Sequence, residues 1–258
     1  IRVATPVKQE DYTPTHTFND FKVADILKNN LAANGYLIPS PVQDQTIPAG
    51  LEGKDVIGIA NTGTGKTVAF GLPLLNKLIQ DPNSRALIIA PTRELAQQID
   101  DEFRKVAKGS GLTGAILIGG TPMGPQLRDL RSNPQIVIGT PGRTKDHINR
   151  GSFRSREFNI VVLDEVDRML DMGFIDDVTY ILSEVSPTRQ SFFFSATMEP
   201  KIQTLIQTFS NDPVVVSVKT GDTTGNVHQN IVEYRGRDEK IEKLHNLLNE
   251  DHVEKIII

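Results

Sequence analysis

Short apolar runs rich in β-branched residues recur along the chain, and segments with helical periodicity lie between them. The runs predict strands at residues 55–60, 86–90, 114–119, 135–140, 159–164, 191–195 and 213–218. Helical spacing predicts helices between them, for example at residues 93–108 and 200–209. Apolar strands that alternate with helices are typical of a parallel sheet covered on both faces. The pattern therefore predicts an α/β domain whose functional loops lie at the carboxyl ends of the strands.

The two ends of the chain are expected to differ from this domain. Residues 1–17 form a polar arm, which we expect to be mobile through residue 15. The main domain is predicted at residues 18–218, and the turn-rich segment 219–230 is expected to be a linker. Residues 231–258 predict a strand at 231–234, an amphipathic helix at 239–249 and a final strand, so they indicate the incomplete start of a second α/β domain. The chain lacks an initial Met and ends in an apolar run, so we expect it to be part of a longer protein.

Composition narrows the class of protein. The 258 residues include no Cys, which excludes disulfides and thiolate metal sites and favours a reducing, cytoplasmic compartment. The five His residues lack zinc-site spacing, and no apolar run is long enough to cross a membrane. The net charge is −4, so any nucleic acid would have to bind a local surface. The acids at residues 100–102 are interpreted as an exposed helix face.

The glycine-rich turn at residues 60–67 carries the clearest chemical signal. It follows an apolar strand and precedes a helix-like run at residues 68–75, which is the context of a phosphate-binding loop. Gly63 and Gly65 allow successive N–H groups to point at an anion, and the next helix adds the positive end of its dipole. Lys66 is predicted to contact the β- and γ-phosphates, and the Thr67 hydroxyl to bind Mg²⁺. The alternative is a plain turn between strand and helix. The predicted nucleotide-contacting residues of this turn are Asn61, Thr62, Gly63, Thr64, Gly65, Lys66 and Thr67.

Two carboxylates follow the apolar strand near residue 160. Asp164 is a candidate Mg²⁺ ligand, directly or through water, and Glu165 is a candidate base for the water that attacks the γ-phosphate. An Asp-Glu pair alone is a weak signal, because acids often end strands at a solvent edge. Together with Lys66 and Thr67 on a strand predicted to be its neighbour, the pair predicts a site for ATP and Mg²⁺.

Across residues 18–217 the chain resembles the first RecA-like domain of the DEAD-box ATP-dependent RNA helicases. The motifs that carry the resemblance are Phe18, Gly35-Tyr36 and residues 39–43 (Pro-Ser-Pro-Val-Gln), 60–67, 91–96 (Pro-Thr-Arg-Glu-Leu-Ala), 119–120 (Gly-Gly), 140–143 (Thr-Pro-Gly-Arg), 164–167 (Asp-Glu-Val-Asp) and 195–197 (Ser-Ala-Thr). Val166 replaces the usual Ala of the acidic motif and Thr144 replaces a usual Leu. Neither change removes a charged position.

The resemblance implies roles in nucleotide binding and coupling. Gln43 is expected to read the adenine edge, with Ser40 in the same motif, and Tyr36 and Phe18 to lie near the base, which favours ATP over GTP. The alternative is that both aromatic residues are ordinary half-buried side chains. Ser195 and Thr197 are expected to hydrogen-bond Asp167 and couple the hydrolysis site to the second domain. The alternative is that they end a strand and cap the helix at Pro200.

The resemblance also implies an RNA surface that contacts the backbone without reading base sequence. Discrimination against DNA is expected through the 2′-hydroxyl and backbone shape. Its predicted residues are Thr92, Arg93, Gly119, Gly120, Thr140, Gly142 and Arg143. The basic run at 143–156 is interpreted as a solvated helix and loop, with a phosphate contact by Arg150 or Arg154 as the alternative.

Three functions remain open at this point. The leading hypothesis is an RNA-stimulated ATPase that opens short duplexes together with a second RecA-like domain, whose arginine fingers would lie beyond residue 258. The chain alone is then expected to bind nucleotide but to hydrolyse it poorly. The second hypothesis is a nucleotide-gated RNA clamp, and the third is a DNA-directed helicase of the same superfamily. No membrane partner is expected.

Overall fold

The computed structural model describes residues 12–218 and 232–248, which belong to two units that are treated separately below. The predicted linker at 219–230 and the predicted final strand lie outside the described residues, as do residues 1–11.

The first unit is built on a seven-stranded sheet in the order β3-β4-β2-β5-β6-β1-β7. Every paired strand in it runs parallel to its neighbour. The strands are β1 Val56–Ala60, β2 Ala86–Ile89, β3 Gly114–Leu117, β4 Ile136–Gly139, β5 Ile160–Leu163, β6 Gln190–Ser195 and β7 Val214–Val218. The predicted parallel α/β fold is therefore confirmed, and each predicted strand is present.

Helices connect the strands. The helices of this unit are α1 Asp25–Ala33, α2 Pro41–Leu51, α3 Lys66–Gln80, α4 Arg93–Val106, α5 Met123–Arg131, α6 Pro141–Asn149, α7 Val166–Asp171, α8 Ile175–Glu184 and α9 Pro200–Phe209. A single 3₁₀ turn lies at Ser155–Glu157. Helix α9 has the predicted bounds, and α4 ends two residues before the predicted end, because its last turn closes at Ala107.

Each face of the sheet has its own apolar core because successive strand residues point to opposite sides. Val56 and Ile88 belong to the core under helices α1–α4, whereas Ile57 and Leu87 belong to the core under helices α7–α9. Burial on both faces explains why the strands read as continuous apolar runs rather than as alternating ones.

Two details of the sheet differ from the sequence prediction. Strands β2–β5 end one or two residues before the predicted ends. Strands β1 and β5 are not neighbours, since β6 lies between them. The turn after β1 and the acids after β5 are thus about two strand spacings apart, roughly 10 Å. The Lys66 and Asp164 side chains extend towards each other across this gap, so that Nζ and Oδ1 lie 4.0 Å apart.

The prediction of a mobile arm is wrong for residues 12–15. The buried carboxylate of Asp44 in α2 accepts hydrogen bonds from the Tyr12 hydroxyl (2.5 Å), the Thr15 N–H (2.7 Å) and the His16 N–H (3.1 Å). The His16 ring nitrogen Nδ1 lies 2.7 Å from the same carboxylate. A buried carboxylate needs such donors, so it holds this polar stretch against the domain.

The second unit contains helix α10, Arg237–Leu248, which begins two residues before the predicted helix. Lys243 forms an ion pair with Glu239 at 2.8 Å, while Ile241 and Leu244 are exposed. The predicted strand at 231–234 is wrong for its described residues, Val232–Tyr234, which have no regular structure because no described strand pairs with them.

Candidate functional site

The loops with candidate chemistry follow the carboxyl ends of the parallel strands and therefore share one edge of the sheet. Two cavities lie in this region. The first, of about 360 Å³, is lined by Tyr36, Thr62, Gly63, Gly65, Lys66, Thr67, Val68, Leu95, Gln98, Glu102, Asp164 and Glu165. The second, of about 540 Å³, is lined by Pro91, Thr92, Arg93, Glu94, Gly119, Thr140, Gly142, Arg143, Asp146, Met172 and Phe174. The strand order explains the division, since the loops after β1 and β5 line the first cavity and the loops after β2, β4 and β3 line the second.

The glycine turn has the backbone conformation that the sequence predicts for an anion cradle. Gly63 and Gly65 have φ angles of 78° and 90°, in the left-handed region that favours glycine. Gly65 directly precedes α3, so the N–H groups at the start of this helix face the first cavity's edge with no side chain capping them. A Cβ atom on Gly65 would lie 2.4 Å from Nε2 of Gln43, so the position also requires glycine for space. Thr64 Oγ1 closes the turn with a 2.8 Å bond to the Asn61 carbonyl.

Lys66 and Asp164 face each other across this cavity. Both side chains are buried, and Nζ of Lys66 lies 4.0 Å from Oδ1 of Asp164. Nζ also donates a 3.2 Å hydrogen bond to the Ala60 carbonyl. Burial is the main cause that raises the pKa of Asp164 to about 6; the Lys66 charge lowers this pKa and the nearby charge of Glu165 raises it.

Glu165 lies beside Asp164 in a strained conformation. Its φ angle of 55° is left-handed, which costs a residue with a Cβ roughly 1–2 kcal/mol. Its carboxylate is buried and accepts a 3.2 Å hydrogen bond from Arg168 one turn along α7. Strained backbone of this kind is common at functional sites.

The polar groups of this cavity suit a Mg²⁺ ion brought in by a phosphate ligand. Oδ1 of Asp164 is buried and has no hydrogen-bond partner among the described residues, so it is an orphaned anionic oxygen. The Thr67 hydroxyl is on the same cavity wall. Within residues 12–218 and 232–248, no three His, Asp or Glu side chains form a metal cage. Mg²⁺ is often held by one carboxylate together with phosphate oxygens and water, which matches this donor set.

The aromatic residues near the first cavity are packed together. Tyr36 and Phe18 meet edge to face, with ring centroids 6.2 Å apart, and Phe18 is buried in the core. The Tyr36 hydroxyl donates a 2.5 Å hydrogen bond to Glu102 of α4. Burial, followed by this hydrogen bond, raises the pKa of Tyr36. The prediction of an exposed acid face at 100–102 is therefore wrong for Asp100, which is buried, and for the Glu102 carboxylate; only Asp101 is exposed.

Gln43 is buried with both ends of its carboxamide paired. Its Oε1 accepts from the Ser40 N–H at 2.8 Å, which caps α2, and its Nε2 donates to the Gly65 carbonyl at 3.0 Å. The Ser40 hydroxyl donates to the Thr64 carbonyl at 2.7 Å. These contacts connect the residues 39–43 directly to the glycine turn.

Asp167 is bound to the end of β6. Its Oδ2 accepts from the N–H groups of Ala196 (3.0 Å) and Thr197 (3.1 Å), and its own N–H donates to Ser195 Oγ at 3.2 Å. The expected contacts are present, but Thr197 makes its contact through the backbone and not through its hydroxyl. The alternative that this segment caps α9 is wrong, because the residue at the N-cap is Glu199 and its side chain makes no capping bond.

The second cavity is lined by the predicted RNA-contacting residues except Gly120. The helices α4 and α6 both begin at its wall, with Thr92 and Thr140 at their N-caps. The Arg93 guanidinium lies against the Gly119-Gly120 pair, and a Cβ on Gly120 would meet it at 1.9 Å. Arg143 donates a 3.2 Å hydrogen bond to the Thr121 carbonyl.

The basic run at 143–156 is largely paired with acids. Arg150 binds Asp146 at 2.6 Å, Lys145 binds Asp177 at 2.6 Å, and Arg154 lies 3.5 Å from Glu157. These pairs agree with the interpretation as a solvated helix and loop.

Comparison with known proteins identifies the family. The sequence profile of the DEAD/DEAH box helicase domain matches residues 40–205. The chain belongs to the DEAD/DEAH box helicase family.

Relatives of this helicase-family chain are similar over almost its whole length. It is 44% identical over 246 residues to the DEAD-box ATP-dependent RNA helicase CshA of Bacillus subtilis, covering 95% of this chain and 50% of the relative. It is 42% identical over 242 residues to the ATP-dependent RNA helicase CshA of Listeria monocytogenes, covering 93% of this chain and 46% of the relative. The chain thus spans about half the length of the curated relatives it matches.

Solved structures of the DEAD-box class have the same fold. A DEAD box protein from Methanococcus jannaschii matches with a TM-score of 0.76 and 35% identity, covering 92% of this chain and 64% of that one. A hypothetical ATP-dependent RNA helicase from Sulfolobus tokodaii matches with a TM-score of 0.71 and 33% identity, covering 75% and 57%. The structural similarity extends the family assignment to the RecA-like architecture.

The DEAD/DEAH box domain also has cavity residues that sequence motifs did not single out. Gln98 and Glu102 line the first cavity from α4, and their spacing from Leu95 places all three on one helix face. Met172 and Phe174 line the second cavity from the loop after α7, where no motif signals them. None of the helices in the described ranges is both long and apolar enough to cross a bilayer.

Proposed function

We propose that this chain is the ATP- and Mg²⁺-binding domain of an ATP-dependent RNA helicase, and that it also holds the backbone of single-stranded RNA. The full-length protein would couple ATP hydrolysis to local opening of an RNA duplex, together with a second RecA-like domain. The observation that carries the proposal is the pairing of buried Lys66 with the orphaned Asp164 oxygen, 4.0 Å apart, at the wall of the cavity that the glycine turn lines.

The nucleotide half of the proposal assigns a task to each group around the first cavity. The N–H groups of residues 62–67 and the Lys66 ammonium bind the phosphates, and Thr67 and Asp164 hold the cation. When bound, Mg²⁺ supplies positive charge that stabilises the phosphate oxygens. Glu165 positions and polarises a water molecule, with Arg168 fixing the orientation of its carboxylate. Tyr36 offers an aromatic edge and Gln43 a carboxamide for the adenine.

The RNA half of the proposal rests on the second cavity. Two helix N-termini and the Arg93 and Arg143 guanidinium groups can meet backbone phosphates, while Gly119 and Gly120 leave room for a close backbone approach. These groups carry no pattern that distinguishes bases, so binding is expected to be independent of RNA sequence. The names of the relatives as ATP-dependent RNA helicases support the choice of RNA.

Replacement of Lys66 tests the nucleotide half. Lys66→Ala should weaken binding of Mg²⁺-ATP by at least about 100-fold, because a buried ammonium that meets phosphate charge is lost. Lys77→Ala, on the last turn of the same helix, is the matched control and should leave the Kd within about twofold. Fluorescence titration with a labelled ATP analogue gives both values. An unchanged Kd in Lys66→Ala contradicts the site.

A further inference from the structure

A buried polar pair, His147 and Gln126, lies behind the predicted RNA surface. His147 is in α6 and is fully buried, and Gln126 is in α5 with 4% of its surface exposed. The ring Nε2 of His147 lies 3.1 Å from Oε1 of Gln126. Burying polar side chains such as these costs free energy unless they form hydrogen bonds. Their hydrogen-bond partners therefore show which segments the pair connects.

Gln126 holds the loop that contains the two glycines. Its Nε2 donates to the Ile118 carbonyl at 3.0 Å and to Thr121 Oγ1 at 2.7 Å, one residue on either side of Gly119-Gly120. The Thr121 hydroxyl in turn donates to the Ile118 carbonyl at 3.0 Å, which closes the loop on itself. Gly120 has a φ angle of 72°, a left-handed conformation that favours glycine at this position.

His147 connects this loop to the helix that begins at Thr140. The Gln126 nitrogen faces three acceptors, the third being the Pro122 carbonyl at 3.5 Å, so it is the donor end of the carboxamide. Its buried Oε1 needs a donor, and the hydrogen-bonding group that the described residues place there is His147 Nε2. His147 Nε2 is therefore the donor to Gln126, and its Nδ1 lies 2.9 Å from the Ser152 hydroxyl, which donates a 3.0 Å hydrogen bond to the His147 carbonyl. The same helix carries Arg143, which returns a 3.2 Å hydrogen bond to the Thr121 carbonyl.

We propose that His147 and Gln126 are positioning residues that fix the spacing between the Gly119-Gly120 loop and the Thr140–Arg143 helix start, and so set the affinity for single-stranded RNA. This inference rests on the proposed RNA-binding function and adds a determinant that does not itself touch RNA. A backbone-binding surface made of two separate elements keeps its phosphate spacing only if the elements are fixed to each other. The polar pair does this where an apolar contact would allow the loop to slide.

The test compares two buried glutamines in the full-length protein. Gln126→Met keeps the volume but removes the hydrogen bonds to the loop. Gln190→Met is the matched control, because Gln190 is similarly buried and its Nε2 likewise donates to a loop, to the carbonyls of Gly50 at 2.8 Å and Lys54 at 2.9 Å, at the opposite ends of the strands. Anisotropy with a labelled single-stranded RNA, in the presence of a non-hydrolysable ATP analogue, gives the RNA Kd. A titration without RNA gives the nucleotide Kd.

We expect Gln126→Met to raise the RNA Kd by at least about fivefold while the nucleotide Kd stays within about twofold. Gln190→Met should change neither Kd, although both variants lower the thermal midpoint. His147→Gln, which can still donate to Gln126, should retain more RNA affinity than His147→Leu. This rescue would not occur if His147 only filled space.

Two outcomes overturn the inference. The first is a folded Gln126→Met protein with an unchanged RNA Kd, and the second is an equal loss of RNA and nucleotide affinity, which would indicate a general structural role. The Arg143→Ala variant distinguishes failure of this inference from failure of the proposed RNA-binding function. If the unaltered protein binds RNA and Arg143→Ala weakens it, the RNA site stands and only the positioning pair is refuted. If the unaltered protein binds no RNA, both proposals fail.

Discussion

At the scale of single residues, the site depends on a carboxylate kept in an unfavourable environment. Asp164 is buried, its Oδ1 has no hydrogen-bond partner in the described part of the chain, and its pKa is raised to about 6. Lys66 is close enough to attract the charge but not to form a hydrogen bond. A buried, unpaired carboxylate lowers the stability of the folded chain when no ligand is bound, and a bound cation removes this cost. This is the behaviour expected of a metal ligand.

Asp164→Asn should therefore stabilise the chain when Mg²⁺ and nucleotide are absent. The folded-state pKa of about 6 exceeds the ordinary value of 3.8, so the free energy of unfolding falls as the pH rises from about 4 to about 6. Asn carries no charge and does not have this pH-dependent loss. We expect the free energy of unfolding of the variant to exceed that of the unaltered chain by at most about 2–3 kcal/mol at pH 7.5 and by little near pH 4. Loss of the partner of Lys66 reduces the gain. Urea unfolding at both pH values measures it. A gain that is equal at both, or one that Asp101→Asn reproduces, contradicts the argument.

Gln43 illustrates a residue whose role differs between sequence and structure. The family resemblance implies a carboxamide that reads the adenine edge, whereas the structure has it capping α2 and binding the Gly65 carbonyl. Adenine recognition would require at least one of these bonds to be exchanged or shared. The same contact offers a direct connection between base recognition and the phosphate turn.

Gln43→Ala should reduce the preference for ATP over GTP by about tenfold, because the pair of hydrogen bonds to the adenine edge is lost. Gln45→Ala, an exposed glutamine on the same helix, should keep the preference. Competition titrations with ATP and GTP measure the ratio of Kd values. Intact selectivity in Gln43→Ala would mean that another residue reads the base.

At the scale of elements, the contact between α7 and the end of β6 connects the acidic motif to residues 195–197. Asp167 accepts two backbone N–H groups there and donates its own N–H to Ser195. A shift in either segment must break these bonds, so the contact can transmit a change between them. This geometry supports the proposed coupling role without a catalytic one.

We expect Asp167→Ala in the full-length protein to lower the number of duplexes opened per ATP hydrolysed by about fivefold. The Kd for ATP should stay within about twofold, because Asp167 is not among the cavity-lining groups. Asp171→Ala, an exposed acid on the same helix, is the matched control. Parallel unwinding and phosphate-release assays decide the point, and an equal fall in both rates would argue against coupling.

The sequence predicted the helices and strands themselves better than it predicted which of them are adjacent in space. Apolar runs predict all seven strands because both faces of this sheet are buried, and the helix predicted to begin at residue 93 does begin there. The strand order was not predictable, since no residue pattern states that β6 separates β1 from β5. The role of Asp44 was also missed, because the four contacts that bury it come from residues about 30 positions earlier, in a stretch that looks polar and loose.

At the scale of the whole molecule, one edge of one sheet carries both candidate sites. The loops after β1 and β5 line the nucleotide cavity and the loops after β2, β4 and β3 line the RNA cavity, so β5 and β2 are the adjacent strands that join the two halves. A ligand at either site contacts loops that extend from the same rigid sheet. This arrangement suits a domain in which nucleotide and RNA affect one another through a second domain.

Glu165→Gln distinguishes the helicase from a clamp in the full-length protein. We expect turnover of ATP to fall by at least about 100-fold, since the group that polarises the water is lost, while the Kd values for ATP and RNA stay within about threefold. Glu184→Gln, outside the cavity, is the control. If the cellular role of the protein survives Glu165→Gln, the clamp hypothesis is correct and hydrolysis is incidental. Undiminished turnover would remove Glu165 from the mechanism.

The most direct test of the account is a crystal structure of the chain with a non-hydrolysable ATP analogue and Mn²⁺ in place of Mg²⁺. The anomalous signal of Mn²⁺ locates the cation independently of the phosphate density. The account predicts one peak between the Thr67 hydroxyl and the Asp164 carboxylate, with the triphosphate on residues 62–67. A cation bound elsewhere, or a triphosphate that leaves this turn empty, would contradict it.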